Sequence, residues 1–274
     1  MSRLFKRLAA GIFILSAIAI LLLFSLPLPG TIPVLMYHFL GGPAEAALEG
    51  NFVNRESFAK QMAFLKQFHY RVLTMDEYYA IKSGHRKPQG REVLITFDDG
   101  QRSFKTDAIP ILERYSLPAV IFLFSDAVKS GGVGQYADSL SLKEITELQQ
   151  NPLLSFQGHT KSHPHLKEIT EEQLEEELVV SKNELEAILG KPVNYLAYPF
   201  GELNEPIMKA VQKAGYKLAF GTSFKRLEAV PEGPYSLTRV KISESSDTLI
   251  VFWYNITGFH QLIKGFRQKI KYGF

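Results

Sequence analysis

The sequence contains no cysteine, which excludes a disulfide framework and any thiolate metal site. A metal, if one binds, must sit on His, Asp or Glu. Strong charge is also missing: 31 Lys and Arg stand against 28 Asp and Glu, a net charge of +3. That balance is too mild to argue for nucleic acid as a partner. No internal repeat and no low-complexity segment is visible, so nothing points to a repeat array or a disordered tract. What remains is ordinary globular composition, 46% hydrophobic and 22% charged over 274 residues, enough for one large domain with a real core.

The longest uncharged run lies at the start. Arg3, Lys6 and Arg7 precede a stretch from Leu8 to Pro29. About 20 apolar residues suffice to cross a bilayer, and the basic flank should stay in the cytoplasm. The run is longer than the apolar region of a signal peptide and ends Ser25-Leu26-Pro27-Leu28-Pro29-Gly30 without an evident cleavage site. An uncleaved N-terminal transmembrane helix over residues 1–30 is therefore expected rather than a secreted form. Either fate sends residues 31–274 outside the cytoplasm. At the other end, Lys264, Arg267, Lys269 and Lys271 follow Ile263 and Phe266, and residues 256–274 read as a basic tail, a solvated last helix being favoured over a membrane-surface one.

Between these ends, continuous apolar segments alternate with amphipathic ones. Val34–Tyr37, Val93–Phe97, Ala119–Phe124, Val193–Tyr198, Lys217–Thr222 and Leu237–Ile242 read as strands. Phe58, Met62, Leu65 and Phe68 recur at helical spacing, as do Leu174, Leu178, Leu185 and Leu189. Capping boxes open helices at Thr74, Ser141 and Thr170. Ser103 to Tyr115 reads as a helix whose hydrogen-bond ladder Pro110 should distort. Buried strands alternating with helices predict an α/β fold, a parallel sheet or barrel covered on both faces, over residues 31–255.

Two short motifs carry the chemistry. Thr96-Phe97-Asp98-Asp99-Gly100 ends an apolar strand, and His159-Thr160-Lys161-Ser162-His163-Pro164 lies sixty residues on. An Asp pair and two His four residues apart are suited to holding a divalent metal beside a second carboxylate that moves a proton. Adjacent strand residues point to opposite sides, so Gly100 is expected to turn the backbone and bring both carboxylates to one cleft. The imidazoles share a face if their segment is helical, or one loop if Pro164 breaks it.

Thr-Phe-Asp-Asp-Gly followed by His-Thr-x-x-His-Pro resembles the first two motifs of the polysaccharide deacetylases, carbohydrate esterase family 4. The resemblance covers about residues 32–245 and implies a distorted (β/α)7 barrel. By residue match it implies Asp98 as general base and Asp99, His159 and His163 as ligands of zinc, cobalt or nickel. Tyr198-Pro199-Phe200-Gly201 looks like the third motif, which implies that the Phe200 N–H helps hold an oxyanion. The chain departs from the family pattern in carrying Ala197 where many members have the Arg that orients the base, and Arg239 is the candidate replacement. A late Leu-x-His is also missing, His260 being the only late histidine. Instead Pro33-Val34-Leu35-Met36-Tyr37-His38 resembles exported members with a permuted motif order, which implies His38 as general acid. The activity so implied is N-deacetylation of an N-acetylglucosamine-containing polysaccharide, an exopolysaccharide or peptidoglycan, by a monomer held to the membrane through its N-terminal helix. An O-acetyl esterase on xylan-type glycans, an amidohydrolase and a non-catalytic carbohydrate-binding barrel are the alternatives. His69 and His85 are expected at the surface, His165 beside a ligand with no predictable direction, and Phe252, Trp253 and Tyr254 mostly in the core.

Overall fold

The computed structural model describes residues 32–41, 50–134, 137–222, 233–246 and 248–257, with residue 16 besides. The expected membrane segment, His260 and the basic residues of the tail lie outside the described residues. Among the described residues no helix is long and apolar enough to cross a membrane.

In chain order the elements are β1 (Val34–Tyr37), β2 (Phe39–Leu40), β3 (Phe52–Val53), α1 (Arg55–Gln67), β4 (Arg71–Val72), α2 (Met75–Lys82) and β5 (Glu92–Phe97). They continue with α3 (Ile109–Tyr115), β6 (Ala119–Leu123), α4 (Ser125–Ser130), α5 (Leu142–Leu148), β7 (Leu154–Gly158), α6 (Glu171–Glu175) and α7 (Ser181–Leu189). The last are β8 (Tyr195–Ala197), α8 (Glu205–Lys213), β9 (Leu218–Thr222), β10 (Leu237–Lys241) and α9 (Leu249–Ile256). Among the described residues, β1, β10, β9, β8, β7, β6 and β5 form a ring of seven parallel strands, closed where β1 pairs with β5. Leu35 sits opposite Val240 on one side and Ile95 on the other. Closure leaves these seven without a free edge, and β4 adds to Glu92 and Val93 from outside the ring.

Strand parity sorts the core into two layers. Val34, Leu94, Val120, Phe122, Tyr195, Ala197, Leu218, Phe220 and Leu237 fill the barrel. Their neighbours Leu35, Val93, Ile95, Ile121, Leu196 and Ala219 pack outward under the helices. This period-2 split is why β1, β5 and β6 read as nearly unbroken apolar runs: both of their faces are buried. Helix α2 closes the end of the barrel where the strands begin. Its Tyr78 lies 5.8 Å from the Phe220 ring and its Tyr79 5.8 Å from Tyr195.

The helix signals act as expected. Thr74, Ser141 and Thr170 each complete a capping box, and Gly190 stops α7 in the left-handed region at φ 60°. The distortion expected at Pro110 is a π turn over Phe104–Ala108 just before it, where proline cannot supply the next backbone donor. A second π turn, over Glu176–Val180, joins α6 to α7. Phe252 is fully buried and meets Phe64 edge-on at 6.1 Å, so it serves the core. His69 and His85 are exposed.

Candidate active site

The same parity aims the site. Residues that follow β1, β5 and β7 in the inward register are His38, two after Met36; Asp98, two after Thr96; and His159, two after Gln157. All three reach the open mouth at the C-terminal ends of the strands, where barrels of this kind place their chemistry. Asp99, one residue out of register, should point away. It does not, because Asp99 itself takes a left-handed conformation (φ 68°), followed by Gly100 at φ 61°. The turn expected at Gly100 alone is thus shared with the aspartate. A Cβ at Gly100 would also crowd the end of the buried Leu123 side chain. Thr160, His163 and Phe200 are left-handed too. Such backbone costs about 1–3 kcal/mol per residue and tends to persist where function needs it.

Asp98 is 2% exposed and gripped by Arg239, which comes from β10 across the barrel. Nη1 donates to Oδ1 at 2.6 Å and Nη2 to Oδ2 at 2.7 Å. Arg239 is itself held by Gly221 O and Thr96 Oγ1 and stacks over the Phe122 ring. Burial opposes ionisation of Asp98, but Arg239 and the nearby imidazoles outweigh it and lower its pKa. Asp98 is therefore ionised and oriented at neutral pH, an arrangement able to accept a proton. His38 Nε2 stands 3.9 Å from Asp98 Oδ2, and burial outweighs the two carboxylates and lowers its pKa. The imidazole is thus not permanently charged at neutral pH.

Asp99, His159 and His163 form a separate cluster whose candidate ligand atoms all lie within 4.8 Å of one another. Asp99 Oδ1 is 3.4 Å from His159 Nε2 and 3.6 Å from His163 Nε2. Bonds of about 2.0–2.1 Å in tetrahedral geometry put ligand atoms about 3.3–3.4 Å apart, so the spacing fits one ion. The donor set fits as well. The buried Asp99 Oδ1 has no hydrogen-bond partner, an uncommon state for a carboxylate oxygen. His159 Nδ1 lies 2.8 Å from Ala197 O, which can only accept, so Nδ1 carries a proton and Nε2 faces the cluster. Burial and then His159 push the His163 pKa down to about 4, leaving a neutral ligand at pH 7. At His159 burial is outweighed by Asp99 and Asp98, and its pKa rises. The segment between the two histidines is a loop, not a helix.

All seven residues singled out in the sequence, His38, Asp98, Asp99, His159, His163, Phe200 and Arg239, line one cleft of about 540 Å³. The Phe200 ring stands edge-on to His163 at 4.7 Å and stacks on His165 at 3.9 Å with an interplanar angle of 11°. His165 Nδ1 in turn lies 3.3 Å from Glu202 Oε1, which gives the direction the sequence left open. The cleft also takes in Asn51, Thr222, Lys241, Ser243 and Ser245, none of which belongs to a motif. Thr222 and Lys241 end β9 and β10, Ser243 and Ser245 follow β10, and Asn51 precedes β3, so no shared local signal marked them. Trp253 and Tyr254 do not line it.

A family model described as polysaccharide deacetylase matches residues 85–219. YxkH of Bacillus subtilis is 30% identical over 217 residues, covering 78% of this chain and 72% of that protein. The poly-beta-1,6-N-acetyl-D-glucosamine N-deacetylase of Staphylococcus aureus is 29% identical over 223 residues, 76% of this chain and 73% of the relative. Among solved structures, the Streptococcus pyogenes deacetylase PplD in complex with acetate superimposes with a TM-score of 0.69 at 30% identity, covering 79% of this chain and 94% of PplD.

Proposed function

The chain belongs to the polysaccharide deacetylase family, and from that membership we propose that it removes N-acetyl groups from a polymer containing N-acetylglucosamine, releasing acetate and leaving a free amine. One observation carries the reading: a carboxylate held bidentately by Arg239 beside a three-residue cluster with an orphaned buried oxygen, in one solvent-reachable cleft. Similarity to the staphylococcal N-deacetylase supports the amino-sugar polymer as substrate class.

Asp99, His159 and His163 would hold a divalent cation such as zinc, cobalt or nickel. When bound, such an ion supplies Lewis acidity toward a carbonyl oxygen and toward water. The chain's own residues do the rest. Asp98, kept ionised by Arg239, accepts the proton of the water that attacks the acetamide carbon. The backbone N–H of Phe200, presented by a left-handed residue, is offered to the oxygen as it gains charge. His38 passes a proton to the departing nitrogen. Burial makes that proton weakly held, which favours its delivery at the cost of a smaller protonated fraction at neutral pH.

Acetate release from N-acetylated β-1,6-linked glucosamine oligomers is the decisive measurement. Asp98→Asn is expected to slow it by about 10²–10⁴-fold; an unchanged rate would remove Asp98 as the base. The basic flank and apolar run before residue 30 support a membrane-held domain facing outward. Protease added to intact cells should then digest the domain, and its protection would overturn that topology.

A further inference from the structure

We propose that Glu177 is the positioning residue that sets the His159–His163 loop in cation-binding geometry, an inference that rests on the cation-binding reading of Asp99, His159 and His163. Glu177 belongs to neither the aspartate nor the histidine motif and is 8% exposed. Its Oε2 accepts the backbone N–H groups of Lys161 at 2.8 Å and Ser162 at 2.9 Å, and its Oε1 accepts the Ser162 hydroxyl at 2.6 Å. One carboxylate thus occupies three donors of a loop whose ends are the two histidines.

The opposite edge of the loop is held as firmly. Thr160 O and Lys161 O accept the N–H groups of Ser125 and Asp126, the first residues of α4, at 3.2 and 2.9 Å. Ser125 Oγ and Lys129 Nζ then bond to Glu184, at 2.5 and 2.6 Å. Glu184 lies on α7, the continuation of the helix that carries Glu177. The 176–189 segment therefore grips the loop twice, directly and through α4. Glu177 sits in the π turn of that helix, a local widening that recurs at functional sites. The grip is needed because Thr160 and His163 are both left-handed. A loop free to relax would leave that conformation, and a small displacement of His163 would spoil a first-shell bond of about 2 Å.

The test is titration of the metal-free full-length chain with cobalt(II), followed by visible absorption and calorimetry, with thermal melting of the metal-free form alongside. The parent is expected to take up cobalt. Glu177→Leu, which orphans all three donors, is expected to weaken uptake by about 10–100-fold, the range for groups that orient ligands. Glu177→Gln keeps an oxygen for both N–H groups and should stay within a few-fold of the parent. Ser162→Ala removes one donor without touching the helix and should fall a few-fold short, and it decides the matter if Glu177→Leu does not melt cooperatively. Unchanged cobalt affinity in Glu177→Leu, or in Ser162→Ala where it stands in, would overturn the proposal, even with a lowered melting temperature, since that pattern marks a purely structural role. Failure of the parent itself to take up cobalt would overturn the cation reading and this inference with it.

Discussion

The two mouths of the barrel treat buried charge in opposite ways, and strand β5 touches both. At its start Glu92 is 1% exposed, with one oxygen on Arg86 and the other accepting the Gln89 N–H at 2.9 Å. Helix α2 seals that end with Tyr78 and Tyr79. Just past its other end, Asp99 Oδ1 has no hydrogen bond of ordinary geometry, only two imidazole nitrogens at 3.4 and 3.6 Å, which against its burial hold its carboxyl well below the usual carboxylate range. The mouth there is open, and Asp99, Thr160, His163 and Phe200 are all left-handed. A fold that can satisfy a carboxylate at one mouth has the means to do so at the other. The left-handed backbone at this mouth is therefore a feature held in place by the surrounding packing, at a cost in stability.

The comparison is sharpened most by Arg239→Met, which leaves Asp98 as an unpaired buried carboxylate. A loss of about 3–5 kcal/mol is expected by denaturant titration; a loss below about 1 kcal/mol would mean that the barrel interior is wetter than its packing implies. Next come the two carboxylates themselves. Glu92→Gln should cost about 1.5–3 kcal/mol, the range for hydrogen bonds to charged groups, and leave cation uptake untouched. Asp99→Asn should abolish cation uptake and cost the metal-free form less stability than Glu92→Gln, because the imidazoles facing Asp99 stand at 3.4 and 3.6 Å rather than in short hydrogen bonds. If Asp99→Asn proves as destabilising as Glu92→Gln, the contrast between the mouths is broken. Gly100→Ala combines a left-handed site with contact against Leu123 and should lower stability by about 1–2 kcal/mol.

The smallest effect is expected on the flank. Burial opposes ionisation of Glu144, but the Ser141 N–H and hydroxyl and the Lys105 ammonium outweigh it, and its pKa falls from 4.5 to about 2. A carboxyl whose pKa is depressed on folding stabilises above its unfolded pKa, and that contribution disappears as pH falls through the folded value. Glu144→Gln should therefore melt lower than the parent at pH 7, by about 1 kcal/mol, with the gap closing between pH 4.5 and about 2. A gap that persists at the acid end of that window would assign the effect to packing rather than charge.

Six of the seven ring strands were legible as apolar runs, and the capping boxes because a cap acts within four residues; β7 was not, because Ser155, Gln157 and Gly158 break its run. His38, Asp98, Asp99, His159, His163 and Phe200 were legible because each stands in a short motif at a strand end. Arg239 was legible only as a charge set in an apolar strand, a candidate for the place left by Ala197. Glu177 gave no signal at all among its neighbours Glu175 and Glu176. Its distinction is a π turn, and no local pattern in the sequence marks one.

The sequence by itself determined the alternation of strands and helices, and with it the strand ends at which His38 and the Asp98-Asp99 pair stand. Those are consequences of periods of two and of a few residues, which short segments enforce alone. Only the tertiary structure decided that Arg239 meets Asp98 from 141 residues away, that Asp99 turns back into the cleft, and that Glu177 grips the histidine loop. Each depends on closing the ring and seating a distant element, and contacts of that range are set by the packing of the whole barrel.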